Sequence, residues 1–342
     1  MDFAKGLIGL DLSDLVLRAV ALSPTRPVPT LTAYQELLLP RGLIEEGEIR
    51  RADEVSRRIR TLLRESQPAP IKRKLVVASL PDRRSFVKLL DLPNVPDGKL
   101  ERAILAQLPQ HIPFGLDEIY LDWQRVQGPG APRGAILVGA SPRTLVDQYL
   151  KTLEQAGVTV VALEMESLAL ARALFVDLPP TQSTLIVDIG GSRTTVVGVT
   201  PPSVLFSSSL PFSGTNFTQR LAQSLKVSFE DAEQQKFSTN VASPRRSNAV
   251  RALRDAVEQL SFHVSEVLHF AESHFPTAAP IQSILLCGGG AQLTGIDATL
   301  AQLLSRTVTV RRPPVRLGRH VKLLPSRLPS YTTAIGLALH HV

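Results

Sequence analysis

Apolar positions along this chain change period from two to about 3.6 and back, and those changes divide it into elements. Leu7 to Leu12 and Leu15 to Leu22 read as strands joined by the turn Ser13-Asp14, and a third strand runs from Leu31 to Leu39 beyond the proline-rich loop Pro24 to Pro29. Val55, Ile59, Leu62 and Leu63 fall on one face of a helix from Ala52 to Arg64, after which Leu75 to Ala78 returns to strand. From Asp82 the pattern changes. Strands at Phe86 to Leu90, Ile119 to Val126 and Ala135 to Val138 surround a helix bearing Leu100, Ile104 and Leu108, bounded by Pro93, Pro96, Pro109 and Pro113. The turn Gly128 to Pro132 separates the last two strands. Ser141 and Pro142 mark the cap and first turn of a helix that stops at Gly157, and Val158 to Val161 is strand again. The stretch 82–160 thus reads as a self-contained α+β insertion, away in sequence from the turns described next.

A helix from Met165 to Phe175 leads into a meander with strands at Ile186, Val196 and Leu205, and a further helix ends at Leu225. Ser228 to Arg246 is polar, with a loop around Ser238 to Pro244. Val250, Leu253, Val257, Leu260, Val264, Leu268 and Ala271 then make a core-facing stripe on a long helix from Ser247 to Phe275. Its His263, His269 and His274 lack the three- or four-residue spacing of a metal pair, so surface or core roles are expected. Ile284 to Cys287 is a buried strand that runs into Gly288-Gly289-Gly290 and a helix capped near Thr294.

Composition narrows the class. With 342 residues and 44% hydrophobic content, the chain has material for about two domains with real cores. No apolar run approaches the ~18 residues of a membrane span, and Met1 to Lys5 lacks the regions of a signal peptide, which predicts a cytoplasmic protein. The single cysteine, Cys287, excludes an internal disulfide and is expected to be a small core residue. The net charge of +7 is compatible with an anionic membrane face or a nucleic acid. Its visible clusters (Arg57-Arg58-Ile59-Arg60, Lys72-Arg73-Lys74, Arg245-Arg246, Arg311-Arg312) are short, and no nucleic-acid motif accompanies them, so no nucleic-acid partner is expected.

Two turns carry the chemistry. Leu185 to Val197 reads as a hairpin whose first strand ends on Asp188, followed by Gly190, Gly191, Ser192, Thr194 and Thr195. A carboxylate there suits a hydrated divalent cation; the glycines let backbone N–H groups approach a phosphate, and the hydroxyls add donors. An ordinary hairpin with an Asp-containing turn fits the same residues. Leu7 to Leu22 repeats the plan of strand, Asp11, tight turn, strand, about 180 residues earlier, which implies an internal duplication. Gly288, Gly289 and Gly290 would let a base or ribose lie against main chain, beside a helix N-terminus that favours an anion.

The Asp11 turn, Asp188-Ile189-Gly190-Gly191-x-x-Thr194-Thr195, the strand ending in Gly288-Gly289-Gly290-Ala291, and the closing helix Tyr331 to Leu339 together resemble the actin-like ATPase superfamily. Within it the chain resembles the PilM family of type IV pilus assembly, including the segment with Ile112-Pro113-Phe114. The resemblance covers nearly the whole chain. It implies an α/β, two-lobed actin-like fold built on duplicated ribonuclease-H-like cores with an inserted α+β subdomain. The lobes would be 1–81, 161–180 and 326–342 for the first, 181–325 for the second, and 82–160 for the insertion. It implies ATP and Mg²⁺ in the cleft, with Asp11, Ser13, Asp14 and Arg18 at the first phosphate turn. Asp188, Gly190, Gly191, Ser192 and Thr194 would form the second turn, and Gly288 to Gly290 the adenosine motif. Asp11 and Asp188 would face Mg²⁺ through water, and Glu166 matches the position of a polar residue that orients the attacking water. A structural helix-start glutamate fits Glu166 equally well.

One departure weakens this. The family pattern Asp-x-Gly-Ser/Thr is here Asp11-Leu12-Ser13-Asp14, so Asp14 brings a second negative charge that Mg²⁺ or Arg18 must offset. The expectation is therefore an assembly protein first and a weak ATPase second. The resemblance implies a peripheral place at the inner face of the inner membrane and a groove between the first lobe and the insertion. That groove would hold the N-terminal cytoplasmic segment of PilN, with links to PilO and the pilus motor ATPase, membrane contact only through them, and homo-oligomers as a further state. A small-molecule kinase lacks an acceptor-site acid in the sequence. An FtsA-like filament protein would carry a membrane-binding tail, where this chain ends at Val342.

Overall fold

A computed structural model describes residues 7–340 except 24, 26, 93–94, 113, 128–133, 176–181, 201–202, 246 and 276–279, and all of Asp97 but its side chain. The readings made for Met1 to Lys5, Pro24, Pro93, Pro113, the turn Gly128 to Pro132, Arg246 and Val342 lie outside the described residues.

The chain opens with β1 (Ile8–Leu12), β2 (Val16–Ser23) and β3 (Thr30–Leu38), an antiparallel meander. A small hairpin, β4 (Ile44–Glu45) and β5 (Glu48–Ile49), precedes α1 (Ala52–Arg64). β6 (Leu75–Leu80) then pairs parallel to β1. Next come β7 (Phe86–Asp91), α2 (Asp97–Gln107), β8 (Ile119–Arg125), β9 (Ala135–Pro142) and α3 (Arg143–Gln155). β10 (Thr159–Met165) pairs parallel to β6, and α4 (Glu166–Leu174) follows it directly.

The second half repeats the first. β11 (Thr184–Ile189), β12 (Thr194–Thr200) and β13 (Ser203–Leu210) form an antiparallel meander. α5 (Gly214–Leu225), α6 (Phe229–Lys236) and α7 (Asn248–His274) lead to β14 (Ser283–Cys287), parallel to β11. α8 (Ile296–Leu304) leads to β15 (Thr307–Val310), parallel to β14. The sheet orders are β10-β6-β1-β2-β3-β16 and β15-β14-β11-β12-β13-β7-β9-β8, so each core is one meander flanked by two parallel strands. β16 (Arg316–Leu317) and α9 (Thr332–Ala338) return the chain to the first core.

Alternation along the strands explains the layers. Ile8, Leu10 and Leu12 face a core with Val55 and Ile59 of α1, whereas Leu7, Val20, Leu22 and Val77 face α9. In the second sheet Leu185, Val187 and Ile189 face the stripe Leu253, Val257, Leu260 and Val264 of α7, which is the role its spacing predicts. α9 approaches its neighbours closely. A Cβ added at Gly9 of β1 would lie 1.8 Å from the Ala334 carbonyl oxygen, and one at Gly336 would lie 1.9 Å from that of Ala169 in α4.

Several readings change. The stretch 82–160 is divided between the cores: β7, β8, β9 and α2 share a small apolar cluster around Ile104 and Val138 and extend the second sheet, but β10 is an edge of the first and α3 packs on α1. Ser141 is no helix cap. It lies in β9 with its hydroxyl 3.1 Å from that of Ser85, and Pro142 stands at the cap of α3. The polar stretch after Ser228 contains α6, capped by the Ser228 hydroxyl on the Asp231 N–H. α8 starts at Gly295 with φ +81°, while the Thr294 hydroxyl bonds the Phe237 carbonyl.

Candidate functional site

The two hairpin turns face each other across the junction of the cores. Both begin where a parallel-flanked strand ends and the meander reverses, with Asp11 and Asp188 each the last residue but one of its strand. Asp11, near the end of β1, is 6% exposed and lies 3.6 Å from Arg18 across the hairpin. Burial pushes its carboxyl above the ordinary range, against the pull of Arg18 and Arg193. Asp188 is the last residue but one of β11, and burial with the nearby charges of Glu166 and Asp11 raises it to about 7. Gly288, at φ +83°, makes room for it: an added Cβ would lie 2.1 Å from its Oδ1.

The first turn keeps its donors for itself. The Ser13 backbone N–H and hydroxyl both donate to the Val16 carbonyl, at 3.1 and 2.9 Å. Asp14 accepts from the Gly47 N–H at 3.0 Å and faces Arg193 at 3.8 Å. Arg18 does not offset Asp14; its Nε bonds Glu36 at 2.7 Å, and Glu36 also holds Arg327 at 2.8 Å. Asp14 is offset by Arg193, which reaches over from the second turn. Spacing within the first hairpin could not reveal that partner, because Arg18 alternates onto the face shared with Asp11.

Arg193 also closes on Glu166, the first residue of α4, at 2.7 Å. Thr195 adds its hydroxyl at 3.5 Å. Burial raises Glu166 and Arg193 lowers it. Behind it Asp82 accepts from the Ser167 N–H and hydroxyl, both at 3.0 Å, and burial beside Glu166 pushes it up to about 8. Six acids, Asp11, Asp14, Glu36, Asp82, Glu166 and Asp188, thus surround Arg18 and Arg193. Arg193, Glu36 and Asp82 were missed in the sequence reading; Arg193 sits inside the quoted hairpin but was passed over for its hydroxyl neighbours.

The second turn is more open. Gly190 donates to the Arg193 carbonyl and Gly191 accepts from both the N–H and hydroxyl of Thr215 on α5, at 3.1 and 2.7 Å. Ser192 is exposed and borders a cavity of about 590 Å³ with Asp14, Arg41, Ser213 and Asn216. The buried Thr194 hydroxyl has no hydrogen-bond partner among the described residues. A Cβ at Gly289 would meet nothing within 4 Å, so that glycine faces open space, whereas Gly290 packs on Ile189. Lys236 of α6, another residue the reading missed, buries its ammonium on Glu233, the Thr218 hydroxyl and the Gly214 carbonyl, next to the turn. Cys287 is fully buried, and burial holds its thiol well above the usual range.

Residues 9–342 match the family model of "Type IV pilus assembly protein PilM". The chain belongs to this family. Curated relatives include the cell division protein FtsA of Neisseria meningitidis, 24% identical over 73% of the chain and 63% of the relative, and FtsA of Bacillus subtilis, 22% identical over 75% and 60%. The chain thus spans less than two thirds of the length of these relatives. Among solved structures, a PilM-PilN type IV pilus biogenesis complex superposes with TM-score 0.82, 23% identity and 98% coverage of both chains. MreB5 of Spiroplasma citri, solved bound to ADP, gives 0.54 at 14% identity, covering 96% of this chain and 94% of that one. The fold is the two-lobed actin-like fold that the Asp and glycine turns implied.

The site fits a nucleotide on one side only. There Asp188 is held protonatable by burial, Gly289 leaves open space and the buried Thr194 hydroxyl keeps a hydrogen bond to give. Among the described residues no three acidic, His or Cys side chains converge to hold a metal directly. In the first turn both Ser13 donors are spent on the Val16 carbonyl, and Arg193 faces Asp14 there.

Asp188 makes a pH prediction. A carboxyl whose folded pKa is raised binds its proton more tightly when folded, so it favours folding near pH 4 and disfavours it as pH rises toward 7. Its partly exposed edge in the cleft tempers the effect. Asp188→Asn is expected to gain about 1–2 kcal/mol on the parent between pH 5 and pH 8, read from urea midpoints; a gap that narrows with rising pH contradicts the assignment.

Proposed function

We propose that this chain is an actin-like scaffold of the type IV pilus platform that binds the N-terminal cytoplasmic segment of PilN. The observation that carries the reading is a groove of about 930 Å³ lined by β8, β10 and α4. β8 and β10 are each an outermost strand of their sheet, so two unpaired strand edges border one channel. An extended peptide entering it would find backbone partners on either wall. Leu121, Leu163, Leu168 and Phe175 supply apolar pockets, and the Glu164–Arg172 pair supplies polar anchors. This is the boundary between the first lobe and the inserted strands, where the family resemblance puts the partner. Through PilN the chain would join PilO at the inner face of the inner membrane.

Nucleotide takes second place in this reading. ATP with Mg²⁺ would be held by the second turn, Asp188 and Gly288 to Gly290, the Mg²⁺ offsetting the phosphate charge beside Asp188. Glu166, tied to Arg193, is not free to orient water, so turnover is not expected. Calorimetric titration with a synthetic PilN N-terminal peptide tests the proposal. Leu163→Arg, at the half-buried edge of β10, should weaken the peptide at least thirty-fold with little change in melting temperature. No binding to the parent sinks the partner assignment; binding unaffected by Leu163→Arg moves it to another surface.

A further inference from the structure

The positive charge of this protein is not dispersed. After Asp297 the sequence contains no acid, yet it carries seven lysines and arginines, which equals the whole net charge of +7; the rest of the chain is balanced.

The structure concentrates the charge further. Leaving β15 at one edge of the second sheet, the chain crosses to the first sheet and adds β16 outside β3. There Arg316 pairs with Thr30, the Gly318 N–H bonds the Leu31 carbonyl, and a turn closed by the Val321 N–H on Gly318 presents Arg319 at its tip. Arg312, Arg316, Arg319 and Lys322 are all exposed and take part in no ion pair among the described residues. Their neighbours cannot neutralise them. β3 brings only Glu36, already held by Arg18 and Arg327, and α9 carries no charge. At the end of the strip Leu323 is anchored in the core while Leu324 is 65% exposed.

We propose that this edge, spanning both lobes, binds an anionic phospholipid surface directly, independently of any peptide in the β8–β10 groove. Four exposed cations, unpaired among the described residues, next to an exposed leucine match a plane of phosphate headgroups with an apolar interior. A nucleic acid fits less well. No Phe, Tyr or Trp lies between Phe275 and Tyr331 to stack on bases, and β16, two residues long, offers no element to enter a groove. The expectation from the sequence was membrane contact only through partners; the proposal makes it direct.

The test is co-sedimentation of the full chain with vesicles of phosphatidylcholine alone or mixed with phosphatidylglycerol. Binding should require phosphatidylglycerol and fall as salt rises. Each cation is worth about five-fold, so the quartet Arg312→Gln, Arg316→Gln, Arg319→Gln and Lys322→Gln should lose at least a hundred-fold. A charge-matched quartet elsewhere, Arg57→Gln, Lys99→Gln, Arg102→Gln and Lys151→Gln, should lose less than about three-fold. Should the first quartet fold poorly, Arg319→Glu alone at the turn tip should lose on the order of ten-fold. Equal losses from both quartets, binding to phosphatidylcholine alone, or displacement from vesicles by a DNA duplex at lower concentration would each overturn the proposal.

Discussion

Arg193→Gln should cost about 3–5 kcal/mol of folding stability in urea titration, the loss expected when one partner of a buried ion pair is removed. The reason is the company it leaves. Glu166 and Asp14 have side chains only 9% and 12% exposed, and both face this guanidinium. Without it, two carboxylates must stay buried near Asp11 and Asp82 or take up protons. Replacing the acid as well should repair most of the damage: Arg193→Gln with Glu166→Gln is expected within about 1–2 kcal/mol of the parent, since neutral amides remove the uncompensated charge. A single variant that loses under about 1 kcal/mol would falsify the view that Arg193 is the counter-cation of this cleft.

Gly336→Ala is the second large effect, and propensity predicts the opposite sign. In an exposed helix interior the change gains about 1 kcal/mol. Here the new methyl would lie 1.9 Å from the Ala169 carbonyl oxygen, a backbone atom that cannot rotate away. α9 cannot retreat, because its other side touches Gly9 of β1 just as closely. We expect a net loss of about 2–4 kcal/mol, with Gly9→Ala similar. The pair should cost less than the sum of the two, because both displace the same helix. Neutral or stabilised Gly336→Ala would mean that α9 has slack.

Much of the fold was legible where one local rule decided it. The apolar spacing of Val55, Ile59 and Leu62 gave α1 its bounds, and two Asp-ended strands gave the duplication and the facing turns. What stayed hidden depended on distant neighbours. α6 has little apolar periodicity, being held by Ala232 and the buried Lys236. β16, at two residues, exists only because β3 offers an edge. Within the site, Asp14 was recognised as a charge problem, but its solution lay about 180 residues away on the opposite lobe. Lone side chains that meet across a cleft leave no periodic trace. The division of 82–160 between two sheets is of the same kind, since both strand sets are apolar and nothing local says which sheet each will join.

The return of the chain to its first core has a consequence during synthesis. Val20, Leu22 and Leu31 are made about 300 residues before the helix that covers them through Ala334 and Ile335. At ribosomal speeds of about 5–20 residues per second, that apolar face waits on the order of 15–60 s. Such a nascent lobe is a natural client for holding chaperones, and its closure by α9 is a docking step of very long loop length.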